Sequence, residues 1–419
     1  MTMLDLGWIR AQFPALRQKI NGQPVVFLDG PGGTQVPRQV VDAIADYLLT
    51  ANANLHGAFI TSTRTDALVE QARSVVADFL GCDADEVVFG ANMTTLTFAI
   101  SRAIGRQLQT GDEIIVTSLD HDANVAPWLA LQEQGVVVHT VGIHPEDCTL
   151  DLAELANLIS TRTRLVAIGY ASNAVGTINN VAEVVRLAHA VGAWVFVDAV
   201  HYAPHGLMNV RSLDCDFLVC SAYKFFGPHV GILYGKREHF TGLHPYKPRP
   251  APDQSPWRWE TGTQNFEGLA GVIASIDYLT ELGRRIAPTV VNRRQALMTV
   301  MAAIQDYERS LSEALIPHLL EIPGLTLYGI ADRTQFSWRT PTVGMRLAGY
   351  SPAILAQALS DRGIFAWNGN FYALNLTQRL GVEASGGLLR IGCTHYNTIE
   401  EIQRLLHTLY DLAVHPVAA

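Results

Sequence analysis

Six apolar, β-branched runs recur through the first two thirds of the chain: EVVF (86–89), EIIVTS (113–118), VVVHTV (136–141), RLVAIGY (164–170), WVFVDAV (194–200) and DFLVCSA (216–222). Their hydrophobicity is continuous rather than alternating, which predicts strands covered on both faces. Between most of them lie segments of helical periodicity, such as 182–191 and the stretch after Asn92. Strands alternating with helices predict a mostly parallel sheet flanked by helices, with any site beyond the carboxyl ends of the strands.

The proline-rich stretch HPYKPRPAPDQSPWRW, within 243–259, reads as an extended crossing loop. Long helical patterns follow at 267–282 and 293–320. Short strands (325–329, 342–347, 388–391) then mix with helices near 352–361 and 398–413. The expected organisation is a large α/β body over 20–285 and a smaller α+β domain built from 1–19 and 286–419.

With 30 Lys and Arg against 39 Asp and Glu, the net charge is −9, so the basic excess that nucleic acid demands is absent. Five cysteines, odd in number and scattered, suggest neither a disulfide framework nor a zinc ribbon. The N-terminal MTMLDLGWIR has no apolar signal core, and no stretch approaches the roughly 18 uninterrupted apolar residues of a membrane helix. A cytoplasmic protein with no membrane partner is expected.

Two strand ends carry the chemistry. WVFVDAV brings Asp198 to the site edge, and the next apolar run ends in Ser221-Ala222-Tyr223-Lys224. A buried acid beside a lysine is either a structural ion pair or the acid and Schiff-base lysine of a pyridoxal phosphate site. After EVVF, the turn Gly90-Ala91-Asn92-Met93-Thr94 places an N-cap asparagine before a helix, where free N–H groups and a hydroxyl would face a phosphate. An ordinary capped helix is the plainer reading. His121, after EIIVTS, could stack on a flat ring or simply close a turn.

Other motifs are weaker. Ser221 to Lys224 fits S-x-x-K, but S-D-N and K-T-G are absent. Gly30-Pro31-Gly32-Gly33 is not G-x-G-x-x-G, and no acid for a ribose lies about 20 residues on. His201 and His205 have helical metal spacing, but Pro204 and Gly206 break the helix, so no metal is expected.

Eight ordered segments together resemble the class V aminotransferase family of pyridoxal phosphate enzymes, and within it the cysteine desulfurase and selenocysteine lyase group. They are VFLDGPGGTQVP, ANMTT, LDHDANVAPW, YASNAVGT, VFVDAVHYAPH, DCDFLVCSAYKFFGPHVGILY, WETGTQN and LLRIGCTHYNT. The resemblance implies the fold type I architecture of pyridoxal-phosphate-dependent transferases and an amino-acid substrate. It implies Lys224 as Schiff-base lysine, Asp198 as the partner of the pyridinium nitrogen, and His121 as the ring-stacking histidine. Asn173 and His201 would hold the ring's phenolic oxygen, although the family more often has glutamine at the latter position. Met93, Thr94, Ser221 and Tyr223 would serve the phosphate. Thr263 matches a phosphate ligand given by the neighbouring subunit, which implies a homodimer with shared sites. Arg390 would clamp the substrate carboxylate, with Gly33, His56, Asn370 and Tyr372 also on the substrate side.

One departure bears on the reaction. The desulfurase's catalytic cysteine lies in a loop resembling R-T-G-H-H-C-A; this chain reads Trp367-Asn368-Gly369-Asn370-Phe371-Tyr372-Ala373, with Tyr372 in the cysteine's place. The expectation is therefore α-proton abstraction and β-elimination of C–S lyase type. A desulfurase using another thiol such as Cys393, an epimerase, an aminotransferase and a degenerate scaffold are the alternatives.

Overall fold

The structure is a computed structural model and describes residues 4–415; residues 1–3 and 416–419 of the expected small domain lie outside them. Its centre is a seven-stranded sheet: β1 (Val87–Gly90), β2 (Glu113–Thr117), β3 (Val137–Val141), β4 (Thr163–Gly169), β5 (Trp194–Asp198), β6 (Phe217–Ser221) and β7 (Gly231–Gly235). Their order is β1-β7-β6-β5-β4-β2-β3. Only β7 runs antiparallel to its neighbours, so the carboxyl ends of β1, β2, β4, β5 and β6 share one edge.

Alternate residues of each strand feed two different cores. Phe89, Ile115, Val166, Val195, Leu218 and Ile232 face one; Val88, Ile114, Leu165, Phe196, Phe217 and Leu233 face the other. Helices α3 (Ile60–Leu80) and α6 (Phe266–Ile286) cover the first face, and α4 (Met93–Gly105) the second, with α2 (Arg38–Thr50) packed on α6. The run 136–141 differs from the expectation: β3 is the edge strand, and Val137 is exposed while Val138 is half-buried. An apolar run alone does not separate a central strand from an edge.

Helix α7 (Arg293–Leu320) leads into a four-stranded antiparallel sheet of order β8-β9-β11-β10, formed by β8 (Leu325–Tyr328), β9 (Thr342–Leu347), β10 (Trp367–Gly369) and β11 (Leu388–Gly392). Helices α8 (Pro352–Ser360) and α9 (Ile399–Val414) complete its apolar core. The N-terminal segment divides between the cores: Ile9 and Phe13 pack in that of the large sheet, Val26 and Leu28 in that of the small one. Among the described residues no helix is long and apolar enough to cross a membrane.

Candidate active site

Strands β5 and β6 are parallel neighbours, with Asp198 opposite Val219. Asp198 thus ends one strand, and a single turn over Ala222–Lys224 ends the other. The Asp198 carboxylate accepts the Val200 N–H at 2.9 Å. Burial pushes its pKa up to about 6, against that bond and the positive charge of Lys224. Burial, then the Arg390 charge, push the Lys224 ammonium down to about 7. Its Nζ donates to the Pro31 carbonyl. Among the described residues neither group forms an ion pair.

Helix α4 starts at the same sheet edge because β1 ends there. Asn92 is its N-cap, accepting the Thr95 N–H at 2.9 Å. The Met93 N–H donates to Ser221 Oγ at 3.1 Å, which brings the helix start and the end of β6 together. Gly231 permits this approach: a Cβ there would lie 2.3 Å from the Asn92 carbonyl carbon. The helix N-terminus, with the Thr94 and Ser221 hydroxyls, forms a corner suited to an anion.

Beyond β2, His121 accepts the Ala123 N–H on Nδ1 at 3.0 Å, so the neutral ring carries its proton on Nε2. Burial, with the charges of Lys224 and Arg390, takes its pKa down to about 4, which keeps it neutral near pH 7. Asp120, beside it, is a cavity residue that sequence reasoning missed. It accepts from Thr117 Oγ1 at 2.5 Å and Asn124 Nδ2 at 3.3 Å. Burial pushes it up to about 7, helped by the charge of Asp198. The signal was present, since Asp120, like Asp198, is an acid just past an apolar strand.

The opposite wall comes from the small sheet and the loop after β10. Arg390 on β11 is 5% exposed; its Nη1 donates to the Asn173 carbonyl at 2.9 Å and its Nε is buried without a partner. The Phe371 ring lies 4.1 Å from the guanidinium carbon. Asn173 Nδ2 donates to the Phe371 carbonyl, and the Tyr372 carbonyl accepts the Asp122 N–H at 2.7 Å. These bonds hold Phe371 and Tyr372 at φ 57° and 59°. For bulky L-residues that region costs about 1–3 kcal/mol each. The Tyr372 ring stacks on His121, with centroids 5.2 Å apart. His201, fully buried, pairs through Nε2 with Thr340 Oγ1 at 3.2 Å, and burial holds its pKa well below the usual value.

These walls enclose about 470 Å³. Of the residues expected at a site, the cavity brings together Met93, Thr94, His121, Asn173, Asp198, His201, Ser221, Tyr223, Lys224, Asn370, Tyr372 and Arg390. Three expected residues lie elsewhere. Gly33 sits behind the Tyr223 ring, and a Cβ added to it would lie 3.4 Å from Tyr223 Cδ2. His56 is exposed on the turn before α3, 3.2 Å from Asp66. Thr263 is exposed outside the chain's own cavity. None of the five cysteines lines it.

The model of the class V aminotransferases matches residues 26–405. The chain belongs to that family. It is 34% identical over 415 residues to a cysteine desulfurase of Pectobacterium atrosepticum, across 95% of each chain. It is 32% identical to one of Dickeya dadantii, across 96% of each. Among solved structures, the apo cysteine desulfurase of Thermococcus onnurineus superposes with a TM-score of 0.87 at 26% identity, covering 98% of each chain. The Escherichia coli cysteine desulfurase CsdA superposes at 0.83 and 28%, covering 99% of this chain and all of that one. The fold is accordingly that of the type I pyridoxal-phosphate-dependent enzymes.

Pyridoxal 5'-phosphate is the cofactor of this class V family. The cavity's donor set fits it. Asp198 is an unpaired acid at the floor, Lys224 an amine kept close to neutrality, and the start of α4 an anion corner beside them.

Proposed function

We propose that the protein cleaves the bond between the β-carbon and sulfur of cysteine or a cysteine derivative by β-elimination. With one water consumed, the products are a thiol, pyruvate and ammonium. The observation that carries this reading is the absence of any cysteine from the cavity, with Tyr372 presented at its mouth instead. Cys393 is fully buried in the small-sheet core, where desolvation pushes its thiol far above the usual range. Handing sulfur to the enzyme would need a thiolate in contact with substrate. Elimination needs none.

Bound there, pyridoxal phosphate supplies an electron sink for the pair left when the substrate's Cα–H bond breaks. The chain's residues do the rest. The Thr94 N–H and hydroxyl at the start of α4, with the Ser221 hydroxyl, would hold the phosphate. Asp198 would accept the N–H of the ring nitrogen, and neutral His121 would offer a flat face to the ring. Asn173 and His201 would hold the phenolic oxygen. Arg390 takes the substrate carboxylate, whose fork geometry suits a guanidinium with an unpaired Nε. Lys224 Nζ, whose proton affinity burial and the Arg390 charge lower, removes the Cα proton. The sulfur departs with the bonding pair, and the Tyr372 phenol serves as its proton donor. Thr263 would complete the phosphate site of a second copy, making the active form a homodimer.

The test is product analysis with L-cysteine and an S-substituted cysteine. Pyruvate and ammonium in equal amounts support the reading. Alanine with a protein-bound persulfide, abolished by Cys393→Ser, would reinstate a desulfurase.

A further inference from the structure

The cavity has two chemically different ends. Its charged lining residues, Asp120, Asp198, Lys224 and Arg390, are withdrawn from water, three of them under 8% exposed, with Arg390 in the wall behind the Phe371 ring. The mouth carries none. It is built from residues 367–372, where the Trp367, Phe371 and Tyr372 rings are interspersed with the neutral amides of Asn368 and Asn370, Trp367 being 52% and Tyr372 69% exposed. The Trp367 indole lies against Gly32, where an added Cβ would come 2.4 Å from Nε1. Its position on the wall is thus fixed by the absence of a side chain opposite. Phe371 and Tyr372 are held in left-handed backbone conformations by three bonds: their carbonyls accept from Asn173 Nδ2 and the Asp122 N–H, and the Tyr372 N–H donates to Asn370 Oδ1. Strain of this kind, kept where it aims side chains at a cavity, marks a functional surface.

We infer that the group on the substrate sulfur is large and apolar, an aryl or long alkyl thioether rather than a free thiol. This rests on the elimination reading above. With carboxylate and amine held by those buried groups, the β-substituent points toward the mouth. A thiol hydrogen would leave the exposed Trp367 indole uncovered and add nothing to Phe371 and Tyr372, which already lie against Arg390 and His121. A leaving group ending in a second amino acid would meet no charged side chain there. An aryl ring meets indole, phenyl and phenol faces in offset or edge-on contact.

Binding separates this inference from the chemistry. L-homophenylalanine has the shape of S-phenyl-L-cysteine with CH₂ in place of sulfur, and L-2-aminobutyrate has that of cysteine; neither can eliminate. Calorimetry on the holoenzyme should give homophenylalanine a Kd at least roughly tenfold lower, as burial of one aromatic ring predicts. Trp367→Ala should shrink that ratio severalfold, and Trp367→Phe should keep most of it. Equal Kd values for the two ligands, or a ratio untouched by Trp367→Ala, overturn the inference whether or not pyruvate forms. An intact preference without pyruvate from S-phenyl-L-cysteine leaves it standing and removes the elimination reading alone.

Discussion

Asp198 and Lys224 end adjacent parallel strands and are both withdrawn from water, yet they form no ion pair. A buried acid and a buried amine left apart each keep capacity for a third group between them. The lysine's proton affinity is then set chiefly by burial and the Arg390 charge, both of which favour the neutral amine, against the pull of Asp198.

The first prediction follows from that balance. Only a neutral amine attacks an aldehyde, so capture of pyridoxal phosphate by the cofactor-free protein should accelerate as pH rises through about 7, not near 10.5. Arg390→Leu removes a like charge and should move the midpoint up; Asp198→Asn removes an attraction and should move it down. Stopped-flow absorbance against pH reads both. Shifts in the reverse order would show that other charges control Lys224.

Much of this was legible in the sequence, and for a physical reason. A strand-end acid or lysine breaks an apolar run, so Asp198 and Lys224 announce themselves without a fold in hand. Loop residues do not. Trp367 to Gly369 form strand β10, paired with β11, where the sequence suggested only a loop. The left-handed turn at Phe371 and Tyr372 depends on bonds from Asn173 and Asp122, far away in the chain. His56 illustrates the other limit: a motif match carries no information on whether a residue reaches its own chain's cavity, whereas Thr263, expected from the resemblance to serve a neighbouring subunit, lies outside its own.

Carboxylate recognition by Arg390 should depend on shape as well as charge. Lysine keeps the charge but loses the planar fork. Arg390→Lys should therefore lower kcat/KM by roughly 10- to 100-fold, as expected for losing one hydrogen bond to a charged group, mainly through KM. An unchanged KM would place the substrate carboxylate elsewhere.

Stability should hinge on a second buried pair. Arg73 meets Glu260 through two bonds of 2.9 and 2.5 Å, with the Phe89 N–H on the same carboxylate. Side-chain exposure is only 2% and 5%. Glu260→Ala leaves a buried guanidinium unpaired and should cost about 3–5 kcal/mol. Arg73→Met with Glu260→Leu should recover much of it. Denaturant midpoints decide, and a loss below about 1 kcal/mol, the range of a surface pair, would mean that water replaces the carboxylate.

The shared-site prediction concerns Thr263, which is exposed and outside its own chain's cavity. If a second copy brings it to the phosphate corner, Lys224→Ala and Thr263→Ala damage different halves of one site. Each variant alone should be inactive at limiting cofactor. In a mixture, a heterodimer has one site with both defects and one with neither. Random reassortment should restore about a quarter of the wild-type activity, because half the dimers are mixed and each has one sound site of two. The mixture must first be allowed to exchange subunits, which tagged co-purification verifies. If exchanged heterodimers stay inactive while Thr263→Ala alone still binds cofactor poorly, Thr263 acts within its own chain. A fully active monomer in sedimentation would remove the shared site altogether.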